Sequence, residues 1–343
     1  MVEKQPSSDM ATSGKSEEQT KIRSRAGTAI IPVALALALA ASPAASAAPA
    51  SAAAAQSPIG YTYVANDNGN SMTAYARSAN GDAAPVADIS GSATGLDGPE
   101  GVWVAAEGLF VSNYTGNSLT EYPSGASGNV APVADISGSA TGLAGPVAVV
   151  VAAGDLFAVN FNNNALTEYP SGASGDIAPL ATISGSSTGI SEPDGVAVNA
   201  AGRVFVANSG TNSVTEYARG ANGNAAPVAT ISGSATGLNG PAGIWLDAAG
   251  NLYVANFNNN SVTAYARGAN GDAAPVADIS GSATGINVPG AVAVNSSGEV
   301  FVANYGGNTV TEYPSRASGN ISPLATISGS ATGLNGPAGV WVP

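Results

Sequence analysis

The 343-residue chain has no histidine and no cysteine, and only 10 of its residues are Lys or Arg. Each absence removes chemistry. Without His the commonest general base and metal ligand is gone. Ser-His-Asp and Cys-His nucleophile systems cannot be assembled. Zinc sites that rely on His or Cys are likewise excluded. Without Cys no disulfide can staple the fold, so a folded domain must rest on its core. No stretch sustains a 3.6-residue apolar period, so almost no helix is expected outside the N-terminal segment.

The few basic residues are unevenly placed. After residue 58 there is no Lys and there are five Arg (Arg77, Arg203, Arg219, Arg267, Arg316), against 19 acidic residues, a net charge of −14. Such a surface repels phosphate backbones, which argues against a nucleic-acid partner. It also lacks a polybasic patch for anionic membranes. It suits a soluble protein that meets a cationic or neutral partner.

The first 58 residues are a different material. Lys21, Arg23 and Arg25 precede an apolar run from Ala29 to Ala41, and small residues follow around Ala45-Ser46-Ala47. Basic, apolar, then an A-x-A-like site reads as a secretory signal over residues 1–47. The apolar run is shorter than the roughly 20 residues that span a bilayer, so cleavage is expected rather than a retained anchor. Residues 48–58 form an Ala/Pro/Ser-rich tether. The expected location is extracellular.

From residue 59 to 343 one unit recurs six times. Its most regular mark is an Asn at positions 66, 113, 160, 208, 256 and 304, spaced by 47 or 48 residues. One unit reads as four short strands: Val196–Asn199, Arg203–Ala207, Ser213–Tyr217 and Pro227–Ile231. Val, Thr and aromatic residues fill them, and Gly, Asn and Pro bound them. The second strand carries an aromatic in every unit (Tyr63, Phe110, Phe157, Phe205, Tyr253, Phe301), and the third a Tyr (Tyr75, Tyr122, Tyr169, Tyr217, Tyr265, Tyr313). A period of this length built from four antiparallel strands predicts an all-β, six-bladed β-propeller. The first unit begins at its second strand and the chain ends after a lone first strand, 337–343. The last strand therefore completes the first blade, three strands from one end and one from the other. About 285 residues in one ring are enough for a self-sufficient core. A monomer is expected.

The segments Pro193-Asp194-Gly195-Val196-Ala197-Val198-Asn199 and Gly202-Arg203-Val204-Phe205-Val206-Ala207-Asn208 resemble the NHL repeat, and the resemblance extends over about residues 60–343. It implies the propeller fold. As to activity it implies little, since relatives include sensor ectodomains, RNA binders, lyases and lactonase-like hydrolases. The peptide-amidating and streptogramin-type lyases of this kind use His, which this chain lacks. Lactonase-like propellers hold a divalent cation with carboxylate and amide oxygens, which needs no His.

Strand alternation places the turn after the second strand and the loop before the first at one end, here the top face or upper end. Loop-built ends of rigid scaffolds are usual binding places. Between Pro and Gly before the first strand stand Glu100, Val147, Asp194, Ala242 and Ala338, with Gly290 as nearest counterpart. Glu100 and Asp194, with Asp97 and Glu192 nearby, are candidates to hold a divalent cation such as calcium; the plainer reading is solvated loop acids. After the recurrent Asn stand Asp67, Tyr114, Phe161, Ser209, Phe257 and Tyr305. Tyr114, Phe161, Phe257 and Tyr305, with Asn113, Asn160, Asn256 and Asn304, are candidates for a sugar- or peptide-binding platform. The plainer reading is that these rings close the ends of the core and that the Asn side chains cap their own turns. Trp103, Trp245 and Trp341 share one strand position and read as filler between blades. The function expected is a secreted, non-catalytic propeller that engages an extracellular protein, peptide or glycan through its top face. The alternative is a metal-dependent lactonase-like hydrolase centred on Glu100 and Asp194.

Overall fold

A computed structural model describes residues 60–343, so the signal segment and tether lie outside the described residues. Those residues form six four-stranded antiparallel sheets. Blade 1 contains β1 (Tyr61–Asn66), β2 (Ser71–Ala76) and β3 (Ala87–Ser90), joined by β24 (Pro337–Trp341) at its inner edge. Blades 2 to 6 follow in order over residues 99–136, 146–183, 193–231, 241–280 and 289–327. Their innermost strands are β4 (Pro99–Val104), β8 (Pro146–Ala152), β12 (Pro193–Val198), β16 (Pro241–Leu246) and β20 (Pro289–Val294). These strands and β24 touch in cyclic order, which closes the ring. β24 pairs antiparallel with β1, Tyr63 opposite Trp341 and Val64 opposite Val340, as the chain ends predict. No helix among the described residues is long and apolar enough to cross a membrane.

The core lies between blades. Val and Ile from each sheet interleave with those of the next, and the six third-strand tyrosines are fully buried. Each tyrosine hydroxyl donates to the carbonyl of a Thr in the loop that enters its blade, at 2.5–2.6 Å, as in Tyr217 to Thr188. A buried phenol needs such a partner, and here it also fixes the path between blades. The inner strands pack so closely that a Cβ on Gly243 would stand 2.7 Å from the Ala291 Cα, hence the glycine of the Pro-x-Gly start.

The outermost strands end in short edges. In every blade a glycine amide from the next blade's loop donates to the fourth strand, at 2.5–2.8 Å, as Gly128 does to Asp88. That covers backbone groups that would otherwise invite pairing with another chain. The fourth strand is shorter than its sequence suggests, Ala229–Ile231 in blade 4, because Pro227 has no N–H to give the ladder.

The tryptophans pack against the core between blades as expected, Trp103 on the clusters of blades 2/3 and 3/4, Trp245 on those of blades 5/6 and 6/1, Trp341 on that of blades 1/2, and two of them also reach the axis. Trp103 of blade 2 and Trp245 of blade 5 stand on opposite sides of the ring, yet their ring centroids are 5.4 Å apart. They meet across the central axis and narrow it. Small residues, Ala197 and Ala293, occupy the same strand position in blades 4 and 6, which leaves room for indoles reaching across.

Candidate functional site

The upper end is built from two pinned loops per blade. The Asn that ends each second strand is fully buried in all six blades. Its Nδ2 donates to the third-strand Thr Oγ1 at 3.0–3.1 Å, as Asn208 does to Thr215. Its Oδ1 accepts a backbone N–H from the loop before the innermost strand at 3.1–3.3 Å, as from Ser191. Asn113, Asn160, Asn256 and Asn304 therefore stand beneath the surface, where their amides hold the loops in place. A side chain with both amide ends occupied inside the fold positions a site rather than touching its ligand.

A second Asn, four residues on, is left-handed in every blade, with φ between 45° and 54°. Asn tolerates that conformation better than most residues. Its Oδ1 does not cap its own turn. It accepts the backbone N–H of the next blade's entry loop at 2.6–2.7 Å, as Asn164 does from Glu192. The upper loops are thus stitched around the whole ring.

On this pinned frame the variable residues alternate. Blades 2 and 3 present Tyr114 and Phe161, edge to face with centroids 6.4 Å apart, and the Tyr114 hydroxyl donates to Asn162 Oδ1 at 3.2 Å. Across the axis, blades 5 and 6 present Phe257 and Tyr305. All four rings are half-buried. Between the two pairs stand Asp67 on blade 1 and Ser209 on blade 4. The Tyr305 hydroxyl donates to Asp67 Oδ2 at 3.0 Å and accepts from Asn68 Nδ2 at 3.2 Å. Burial, then the Asp67 and Glu100 carboxylates, hold the Tyr305 phenol far above its ordinary value, so it remains a neutral donor.

The candidate carboxylates sit at β-bulges. The register of β4 shifts between Pro99 and Gly101, and that of β12 between Pro193 and Gly195, so Glu100 and Asp194 are the extra residues. A bulge turns its extra side chain out of the strand's alternation. Both are buried, at 9% and 6% exposure. They belong to blades 2 and 4, so the Val147 blade stands between them. Glu192 was expected only as a neighbour, but its backbone is informative. It has φ 47° where blades 1, 2, 3 and 5 have glycine. A bulky residue there is strained by about 1 kcal/mol. The glycine of those four blades is the sequence signal that this position is left-handed, and the interblade hydrogen bond shows why. Among the described residues no three His, Cys, Asp or Glu side chains converge as a metal-binding group.

The third-strand acids lie toward the lower end. Glu216 accepts from Arg203 Nη1 at 2.7 Å. Burial raises the carboxyls of Glu121, Glu168 and Glu312, helped by the nearby Glu107, Asp155 and Glu299 respectively.

No protein-family model matches the chain, and no curated protein matches it. Solved structures do. A protein of unknown function from Bacteroides caccae is 11% identical, over 82% of this chain and 97% of its own, with a TM-score of 0.58. A protein from Lactobacillus plantarum is 13% identical over 78% and 82%, with a TM-score of 0.55. A putative 6-phosphogluconolactonase from Bacteroides uniformis is 12% identical over 78% and 82%, with a TM-score of 0.54. The likeness is one of fold. At such identities a propeller scaffold hosts unrelated activities.

Proposed function

We propose that this is a secreted, non-catalytic propeller of NHL type whose upper end holds a cationic extracellular ligand, a basic protein segment or peptide. One observation carries the reading. The loops of the two inner strands at the upper end gather Asp67, Asp97, Glu100, Glu192 and Asp194 and no Lys or Arg. These acids fall near blades 1, 2 and 4, and the aromatic pairs of blades 2/3 and 5/6 flank them. Carboxylates with aromatic rings beside them suit ammonium and guanidinium groups, through charge and through the ring faces. The rigid, pinned loops lower the ordering cost of binding.

The test is fluorescence anisotropy of a labelled octa-arginine peptide with the purified exported protein. Binding should weaken as salt rises. The triple variant Glu100→Gln/Glu192→Gln/Asp194→Asn should lose at least about tenfold in affinity. Equal affinity in wild type and triple variant, or tighter binding through the lower end, would overturn the reading.

A second reading rests on the two bulge-aimed carboxylates. With amide oxygens they would form a hard-oxygen set suited to calcium, as in a lactonase-like hydrolase. It predicts one calcium per chain by elemental analysis and a melting temperature that falls on chelation, both abolished by Glu100→Gln. A metal-free protein with an unchanged melting temperature would remove it.

A further inference from the structure

The lower end offers a site that the repeat pattern does not announce. Between blades 4 and 5 lies a groove of about 670 Å³. The corresponding clefts between blades 2 and 3 and between blades 6 and 1 close to about 10 Å³ each, although they carry the same Phe, Glu and Ile positions. Ala200 and Ala201 on one turn and Ala248 and Ala249 on the next stand at its mouth. Its inner wall is apolar, formed by Phe205, Ile231, Leu246 and Leu252.

The charges on its walls are not balanced in the same way. Glu216 is engaged by Arg203 at 2.7 Å. Both oxygens of Asp247 accept from Asn251, one from the backbone N–H and one from Nδ2, each at 2.8 Å. Arg267 is different. A Cβ on Gly250 would stand 3.2 Å from its Cδ, so its stem lies along that turn. Among the described residues its guanidinium has no ion pair. That leaves five N–H donors, and no acceptor of its own, at the edge of an apolar trough.

We propose that this groove binds a small organic carboxylate with an apolar body, the carboxylate on Arg267 and the body against Phe205, Ile231 and Leu252. A guanidinium fork matches a carboxylate in two parallel hydrogen bonds. A trough of this size suits a body of small-molecule dimensions. This site is independent of the upper end and of the function proposed for it.

The probe is octanoate, with 1-octanol as its uncharged counterpart, followed by saturation-transfer NMR and calorimetry on the exported protein. Octanoate should bind, and 1-octanol should bind at least about tenfold more weakly. Arg267→Met should cost a similar factor. Ala249→Trp, on an exposed turn, should block the groove without altering charge. Arg316→Met, on another blade, should change nothing, and neither should the upper-end triple variant, so the two proposals fail separately. Absence of octanoate binding, or binding unchanged in both Arg267→Met and Ala249→Trp, would overturn the assignment.

Discussion

The two ends of the ring use the same strands and differ in almost everything else. At the upper end each blade has two short loops, and a pair of asparagines pins both in all six blades. Five acids and no base lie on the two inner strands' loops there, and Asp82, Asp176 and Asp272 bond to the same loops from the outer rim. At the lower end stand all five Arg of the described chain, with hairpin turns and longer loops that vary between blades. The difference teaches where a repeat protein keeps its individuality. A side chain used identically six times holds the ring. A side chain that breaks the sixfold pattern, such as Glu192, Trp103 or Arg267, is free to mean something.

The sharpest break of that comparison is alkaline. Burial pushes Tyr75, Tyr122, Tyr265 and Tyr313 up to about 12, from 10.0. The unfolded chain therefore gives up these protons first. Stability is intact below pH 10 and is lost as pH rises from 10 toward 12. The larger part of the tyrosinate absorbance, from the six buried third-strand tyrosines, should appear together with the loss of the circular dichroism signal; complete tyrosinate formation in a folded protein would contradict the buried hydroxyl bonds. Next comes the upper staple. Asn208→Ala strands Ser191 N–H and Thr215 Oγ1 inside the fold and should cost about 3 kcal/mol. At the lower end, Asn199→Ala, which removes an acceptor for the Ala201 and Arg203 amides, should cost about 1 kcal/mol. Similar losses from the two in chemical denaturation would erase the distinction between the ends. Smaller again, Glu192→Gly should stabilise by about 1 kcal/mol, because glycine accepts the left-handed backbone freely. The same variant should weaken octa-arginine binding. The smallest effect belongs to Glu121, Glu168 and Glu312. Their folded-state carboxyls are raised, so their contribution is present below the unfolded value and is lost as pH rises through the folded one. Lowering the pH from neutral toward 5 should therefore raise the melting temperature slightly, and the triple Gln variant should lose that rise.

The site was legible only in part. The sequence placed Tyr114, Phe161, Phe257 and Tyr305 at one end, since strand alternation alone decides that. It could not show that Tyr114 and Phe161 meet edge to face, because that depends on how two neighbouring blades pack. The buried role of Asn208 and its equivalents was also hidden. An amide in a turn looks the same in sequence whether its partners lie in its own turn or in the neighbouring blade. Trp103 and Trp245 are 142 positions apart in the chain, and no local pattern predicts that their rings meet.

By itself the sequence determined the number of blades, the four strands in each and the closure of the ring by its last strand. Those are set by periodicity and by short-range strand and turn chemistry, which act within a few residues. The tertiary structure decided which side chains cross the axis, which asparagines stitch one blade to the next, and how wide the cleft between blades 4 and 5 is. Those depend on how six nearly identical sheets pack against one another. There the size of an Ala, the reach of a Trp or the handedness of one backbone angle is felt by a residue far away in the chain.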